Sequence, residues 1–96
     1  MTQLDACYRK SPSIVSREIA GEMILVPIRQ SVGDLESIYT LNKTAARVWE
    51  LIDGQRSARA IRDQIVAEFE VGAEEAGQDL MELLAQLESF GAVERA

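Results

Sequence analysis

The side chains that most often perform catalysis are almost absent from this chain of 96 residues. It contains no histidine, which removes the usual general base near neutral pH and every zinc site built on imidazole. Its single cysteine, Cys7, has no partner for an internal disulfide or a C-x-x-C pair. A serine–lysine pair has only Lys10 and Lys43 available, and no glycine-rich phosphate loop occurs. The composition therefore predicts a binding protein without metal or cofactor, and not an enzyme.

Acidic residues are the next candidates for chemistry, because they are concentrated in one part of the chain. Residues 1–62 contain nine Lys/Arg against seven Asp/Glu, a local charge of +2, whereas residues 63–96 contain one against nine, a local charge of −8. The pairs Glu74-Glu75 and Asp79/Glu82 have the spacing of an acid–base dyad or a divalent-metal site. No recognisable metal-binding loop surrounds them, so we interpret them as surface acids of a helix.

Three arginines recur at every third position in the middle of the chain. Arg56, Arg59 and Arg62 therefore lie along one face of a predicted helix. Cations near a helix N-terminus oppose the macrodipole, so this arrangement adds little local stability. Two interpretations follow: a solvated polar face, or a docking surface for an acidic partner.

The elements that position these residues are predicted by the hydrophobic period. Two β-rich runs, IVSREI and EMILVPI, flank Ala20-Gly21, and glycine at such a break is typical of a hairpin turn. After a polar loop, the alternation in LESIYTL over residues 35–41 predicts a third strand. Together the three runs predict an antiparallel meander.

Helical spacing replaces this alternation in the second half of the chain. The first predicted helix follows the N-cap candidate Asn42, the second follows Ser57, and the longest covers about Ala73 to Phe90. Trp49 belongs to the apolar stripe of the first helix, which favours a place in the core over a role as a partner anchor. The order predicts an α+β fold, a three-stranded antiparallel meander followed by three helices, similar to a winged helix-turn-helix.

The chain length is suited to one domain. We expect that domain to cover residues 14–94, after a flexible N-terminal lead-in over residues 1–13. No apolar run approaches the length of a membrane span, and no secretory signal is visible at the N-terminus. We therefore expect a cytoplasmic protein.

The third strand is the most informative feature, because it forms an edge of the predicted meander. Its β-forming residues include no proline or lysine that would block an added strand. In the long helix, Gly77 and Met81 lie outside the main apolar stripe and offer a flank beside this edge. The predicted peptide-binding residues are Ser37, Ile38, Tyr39, Thr40, Leu41, Gly77, Met81 and Leu84. The other flank of the helix, near Leu83, Gln86 and Phe90, is the next candidate.

An ordered set of residues resembles a known family. The segment SIYTLNKTAARVWELIDG has a β-rich run, Leu-Asn, a small residue, an apolar–aromatic pair and a closing Asp-Gly. Further matches occur in order around it: Arg9, Pro12, Gly21, Ile24-Leu25-Val26-Pro27, Asp79-Leu80, Leu83-Leu84, Leu87 and Phe90-Gly91. Over about residues 9–94 the chain resembles the pyrroloquinoline quinone synthesis protein D (PqqD) family, the prototype of the precursor-peptide recognition elements (RiPP recognition elements).

This resemblance implies a non-catalytic peptide chaperone. Such proteins bind the leader of a ribosomally made precursor peptide as a strand added to the third strand, against the third helix. They present it to a modifying enzyme, in the prototype a radical S-adenosylmethionine (radical SAM) maturase of pyrroloquinoline quinone (PQQ) biosynthesis. We assign docking of the modifying enzyme to Arg56, Arg59 and Arg62, and expect a monomer or weak homodimer without cofactor.

The alternative function is a winged-helix transcriptional regulator or a general protein-interaction scaffold. A winged helix would place the last helix in the DNA major groove. That helix has five carboxylates and no lysine or arginine, and phosphate neutralisation supplies much of the affinity for DNA. We therefore expect neither nucleic acid nor a membrane among the partners.

Overall fold

The computed structural model describes residues 3–28 and 38–96 of the chain. In these residues a short 3-10 turn at Gln3–Asp5 is followed by five strands and three helices. Their bounds are β1 Tyr8–Lys10, β2 Ile14–Ile19, β3 Glu22–Pro27, β4 Tyr39–Leu41, α1 Lys43–Leu51, α2 Ala58–Phe69, α3 Ala73–Phe90 and β5 Val93–Arg95. The sheet of β2, β3 and β4, followed by three helices, confirms the predicted α+β class. Strands β1 and β5 form a second, two-stranded sheet.

Strands β2, β3 and β4 form an antiparallel sheet with β3 in the middle. Ala20-Gly21 makes the tight turn between β2 and β3, with φ of 53° at Ala20 and 83° at Gly21. Positive φ at both turn residues matches the right-handed twist of the flanking strands, and glycine adopts it without strain. The predicted meander is confirmed, while residues 35–37 of its third run lie outside the described residues.

The N-terminal residues differ from the flexible lead-in expected over residues 1–13. Strand β1 pairs with β5 in antiparallel register, and the side chain of Tyr8 is only 1% exposed. The backbone amide of Gly54 donates to the carbonyl of Tyr8 at 2.8 Å. Arg9 and Glu94, which are 85 residues apart, form an ion pair at 2.9 Å. Residues 3–13 are therefore integrated into the domain.

Each of the first two helices begins at the cap residue predicted from the sequence. The side chain of Asn42 accepts a hydrogen bond from the amide of Ala45 at 2.8 Å, and that of Ser57 accepts one from Ala60 at 3.1 Å. These bonds satisfy amides that have no partner within the helix. The third helix, α3, has the predicted bounds and ends at Gly91, whose φ is 86°.

The core lies between one face of the three-stranded sheet and the helices. Leu25 of β3 and Leu84 of α3 are fully buried, and Trp49 of α1 is 4% exposed, which confirms its predicted place in the core. The ammonium group of Lys10 lies 5.1 Å from the centre of the Trp49 ring, and burial lowers the pKa of Lys10. In the described residues, no helix is long and apolar enough to cross a membrane.

Candidate functional site

The free edge of β4 offers unpaired backbone groups, and the hydrogen-bond alternation of the sheet shows which ones. The amide of Ile28 donates to the carbonyl of Ser13 at 2.8 Å. Counting back from Ile28, every second residue of β3 therefore directs its N–H and C=O at β2, because these groups alternate in side along an antiparallel strand. The remaining residues of β3 face β4, where they pair with Tyr39 and Leu41. The N–H and C=O of Thr40 therefore point away from the sheet, and no described strand pairs with them.

One end of α3 lies beside this edge and is joined to it through Tyr39. The hydroxyl of Tyr39 donates to Oε1 of Gln86 at 2.5 Å. Its ring packs against Phe90 with the ring centres 5.5 Å apart and the planes tilted by 60°. Because a hydrogen bond and an aromatic contact both orient Tyr39, this side chain forms a fixed wall beside the strand.

Two cavities meet at the side chain of Gln86. The first, here called the helix cavity, has a volume of about 320 Å³. Its lining residues are Asn42, Thr44, Ala45, Val48, Ile65, Val71, Ala76, Asp79, Leu80, Glu82, Leu83 and Gln86. The second, the edge cavity, is a shallower depression lined by Tyr39, Ala85, Gln86, Ser89 and Phe90. Together they form the edge groove, which runs along α3 from the start of β4 to the start of α1.

The structure separates the predicted peptide-binding residues into two groups. Ile38, Tyr39, Thr40 and Leu41 lie at the edge, with Ile38 41% exposed and Leu41 3% exposed. Ser37 lies outside the described residues. The predicted residues of α3 line neither cavity: Gly77, Met81 and Leu84.

Each of these three residues of α3 has a different environment. Leu84 is fully buried in the core. A Cβ atom on Gly77 would lie 3.4 Å from Cδ of Arg62, so this glycine faces α2. Met81 is half-buried against the core. The second candidate flank is the one that lines the groove, through Leu83, Gln86 and Phe90.

Several groove residues had other roles in the sequence interpretation. The sequence predicts Asn42 as a helix cap and Asp79 and Glu82 as surface acids. All three also line the helix cavity. One signal could have found this flank, since Leu83 and Phe90 are seven residues apart and both are apolar. That spacing places them on the same side of a helix, next to the main stripe.

An ion pair joins the two helices that contribute Val48 and Ile65 to the helix cavity. Arg47 of α1 donates from Nε and Nη2 to the two carboxylate oxygens of Glu68 on α2, each at 2.8 Å. Gln64 donates to the same carboxylate at 2.6 Å. The Arg47 hydrogen bond, followed by that of Gln64, lowers the pKa of Glu68 to about 2. The pair therefore remains charged at any ordinary pH.

A sequence profile of the family described as Coenzyme PQQ synthesis protein D (PqqD) matches residues 22–93. The chain belongs to this family. The matched region includes β4 and α3, and hence both walls of the edge groove. No curated protein has a significantly similar sequence.

Two solved structures share the fold of this PqqD-family chain. One is TbiB1 in complex with the TbiA(beta) leader peptide, with a TM-score of 0.74 and 24% identity, covering 90% of this chain and 94% of that one. The other is lasso peptide synthetase B1 complexed with the leader peptide, with a TM-score of 0.76 and 25% identity, covering 93% and 99%. Together with the family match, they confirm the resemblance and the fold predicted from the sequence.

The arginine face of this PqqD-family protein is neutralised by nearby acids. Arg56 pairs with Asp53 at 3.4 Å, and Arg59 pairs with Asp5 at 3.1 Å. Arg62 pairs with its neighbour Asp63 at 2.9 Å. The three guanidinium groups therefore have partners within the domain, and their assignment to enzyme docking stays a prediction.

Across residues 3–28 and 38–96, the structure brings together no group of His, Cys, Asp or Glu arranged to hold a metal ion. The edge groove instead combines open backbone groups with apolar walls, and such an arrangement is chemically suited to binding an extended peptide.

Proposed function

We propose that this PqqD-family protein binds the leader of a ribosomally made precursor peptide in the edge groove and presents it to a modifying enzyme, without catalysing a reaction itself. The observation that carries the proposal is the open backbone of β4 at Thr40, with a groove along α3 beside it. Two structures with this fold are complexes with leader peptides, which supports the same use of the groove here.

Main-chain pairing would supply the part of the affinity that does not depend on sequence. The outward N–H and C=O of Thr40 are available to an added strand, and the exposed side chain of Ile38 extends the edge before β4. A guest strand has side chains on alternate sides, so every second residue would face α3. Leu83 and Phe90, both half-buried, offer it apolar surface.

The charge of α3 supports a peptide ligand over nucleic acid. Its exposed carboxylates belong to Glu74, Glu75, Asp79, Glu82 and Glu88, and it has no lysine or arginine. Carboxylates beside a groove repel a phosphate backbone, whereas backbone pairing with a peptide strand is insensitive to them. We therefore favour leader binding over transcriptional regulation.

The modifying enzyme in this proposal is a radical SAM maturase or another peptide-modifying enzyme. The side chains of Arg56 and Arg59 are 48% and 45% exposed, so they remain accessible to a partner despite their ion pairs. A partner carboxylate would compete with Asp53 and Asp5 for these guanidinium groups. Exposed ion pairs of this kind contribute about 0–1 kcal/mol, so such competition is feasible.

A matched pair of variants tests the groove. Leu83 and Met81 are both half-buried apolar residues of α3, but only Leu83 lines a cavity. Leu83→Glu should weaken binding of a precursor leader peptide at least about tenfold, because it replaces apolar contact surface by a carboxylate that the bound strand would desolvate. Met81→Glu should leave affinity within about twofold. Calorimetric titration of both variants and the wild type measures the difference.

Thermal melts of the two variants control for loss of structure. If Met81→Glu abolishes binding in a folded protein and Leu83→Glu does not, the peptide lies on the flank first expected from the sequence. Unchanged affinity in both folded variants contradicts the edge groove as the binding site. A wild-type protein that binds no leader peptide contradicts the proposed function itself.

A further inference from the structure

The helix cavity has an apolar floor and a polar rim. Side chains of the core form the floor, with Val48 2%, Ile65 4% and Leu80 3% exposed. Asp79 and Glu82 stand at the rim, both exposed and three residues apart on α3. Residues at this helical spacing have Cβ atoms about 5–6 Å apart, so a single ligand group can approach both carboxylates.

The negative charge at this rim is not neutralised by the described part of the chain. No lysine or arginine of residues 3–28 or 38–96 lines the cavity. Within the same residues, no cationic nitrogen lies within 4 Å of either carboxylate, whereas Glu68 and Glu94 each have an arginine partner. As far as the described residues extend, the rim therefore presents two carboxylates without a cationic partner over an apolar floor.

The cavity also lies within reach of an added strand. Asn42, which lines it, follows Thr40 by two residues, and a β-strand advances about 3.3 Å per residue. A guest strand paired beside Thr40 therefore passes the cavity mouth within a few residues. A volume of about 320 Å³ is at the lower limit for small-molecule pockets, which range over about 300–1,000 Å³, so one long side chain is a suitable occupant.

We propose that the helix cavity receives a lysine or arginine side chain of the bound peptide, with Asp79 and Glu82 as its anionic partners. This inference rests on the proposed function and names the sequence class of its ligand. Lysine and arginine bury an apolar stem while keeping the charged group near water, which matches an apolar floor below a carboxylate rim. A glutamate or aspartate at the same position would be repelled, so the cavity would reject leaders that are acidic there.

Selection from a random peptide library tests this preference without knowledge of the natural ligand. The probe is a library of twelve-residue peptides in mRNA display, panned against the full chain. Enriched peptides should share a lysine or arginine at one fixed distance from a strand-forming segment. In calorimetry, replacing that residue by glutamine in one selected peptide should weaken binding about two- to fivefold, the range expected for a partly exposed ion pair.

Matched variants identify the carboxylates responsible. Asp79→Asn and Glu82→Gln should each weaken the selected cationic peptide about two- to fivefold, and together about tenfold. They should have no effect on the same peptide with glutamine at that position. Glu74→Gln and Glu88→Gln remove equal charge from the same helix outside the cavity, and they should leave affinity unchanged.

The outcomes separate this inference from the proposed function. Enrichment of strand-forming peptides without a fixed cation overturns the cationic preference and leaves peptide binding intact. Equal losses in Glu74→Gln and Asp79→Asn would show only a general effect of charge, and would also overturn it. Failure of the protein to enrich any peptide from the library contradicts both.

Discussion

The three-stranded sheet has two edges that differ in what lies beside them. Along β2, all residues from Val15 to Ile19 are exposed, and none of them lines either cavity of the edge groove. Along β4, the hydroxyl of Tyr39 is bound to Gln86 and its ring packs on Phe90 of α3. Within residues 3–28 and 38–96, both edges have open backbone groups, and the edge groove lies beside β4.

This difference shows that an open edge alone does not make a selective binding site. Backbone groups pair with any extended chain, and proteins usually protect such edges because they also promote aggregation. Arg17 and Glu18 place charges on β2, which is a common means of discouraging strand addition. At β4 the helix supplies side-chain contacts, so selection becomes a property of α3 and not of the strand.

The largest expected effect comes from Trp49→Ala, which removes a large buried side chain from the core behind the sheet. Trp49 is 4% exposed, and truncation of a buried tryptophan costs about 3–5 kcal/mol in the free energy of unfolding. A domain of this size has about 5–15 kcal/mol of stability in total, so the variant should lose a large part of it and unfold at a much lower urea concentration than wild type. Urea denaturation measures the loss, with the exposed neighbour Glu50→Ala as control. A variant that melts within a few degrees of wild type would place Trp49 outside the core.

The next effect distinguishes the two edges directly. Thr40→Pro and Ser16→Pro each remove an N–H that points away from the sheet, on β4 and β2 respectively. Thr40→Pro should weaken leader binding at least about tenfold, because an added strand loses a backbone donor and meets the proline ring. Ser16→Pro should leave the affinity within about twofold. Calorimetry with a precursor leader peptide that binds the wild-type protein measures both.

Circular dichroism of both proline variants serves as the control for sheet structure. Equal losses of affinity would show that binding depends on the sheet as a whole, and a loss only in Ser16→Pro would place the peptide on β2.

The smallest effect concerns the helices behind the groove and depends on pH. The pKa of Glu68 is about 2 in the folded protein, below its ordinary value of 4.5, chiefly because Arg47 donates to its carboxylate. Because the pKa of Glu68 is lower in the folded protein, its ionised carboxylate stabilises the fold at pH values above 4.5. This contribution is lost as the pH falls through about 2. The stability gap between wild type and Glu68→Gln should therefore be largest above about pH 5 and shrink towards about pH 2. Urea denaturation across this range measures it, and a gap that grows on acidification would contradict the assignment.

Features set by neighbours along the chain were predictable from the sequence. The turn at Ala20-Gly21, the caps Asn42 and Ser57, and the end of α3 at Gly91 depend on local backbone requirements. Each requirement is met by a residue type that the sequence displays directly. The pairing of β2 with β3 followed from the same local signals, because a two-residue turn joins these strands.

Features set by distant contacts were not predictable in the same way. Tyr8 is buried because β1 pairs with β5 at the other end of the chain, and a strand of three residues has no detectable period. Similarly, the side of α3 that faces β4 depends on the crossing of helix and sheet. The sequence locates the buried stripe through Leu80 and Leu87, but it does not determine which neighbouring flank borders the edge.

The pairing of β1 with β5 joins two segments that are far apart in the sequence. The amide of Ala96 donates to the carbonyl of Cys7 at 3.0 Å, and Tyr8 lies opposite Arg95. Loss of either strand would leave the other without its partner and uncover Tyr8, which is 1% exposed. The domain is therefore closed by contacts between segments from opposite ends of the described chain, and truncation before Lys10 or after Ala92 would reduce its stability.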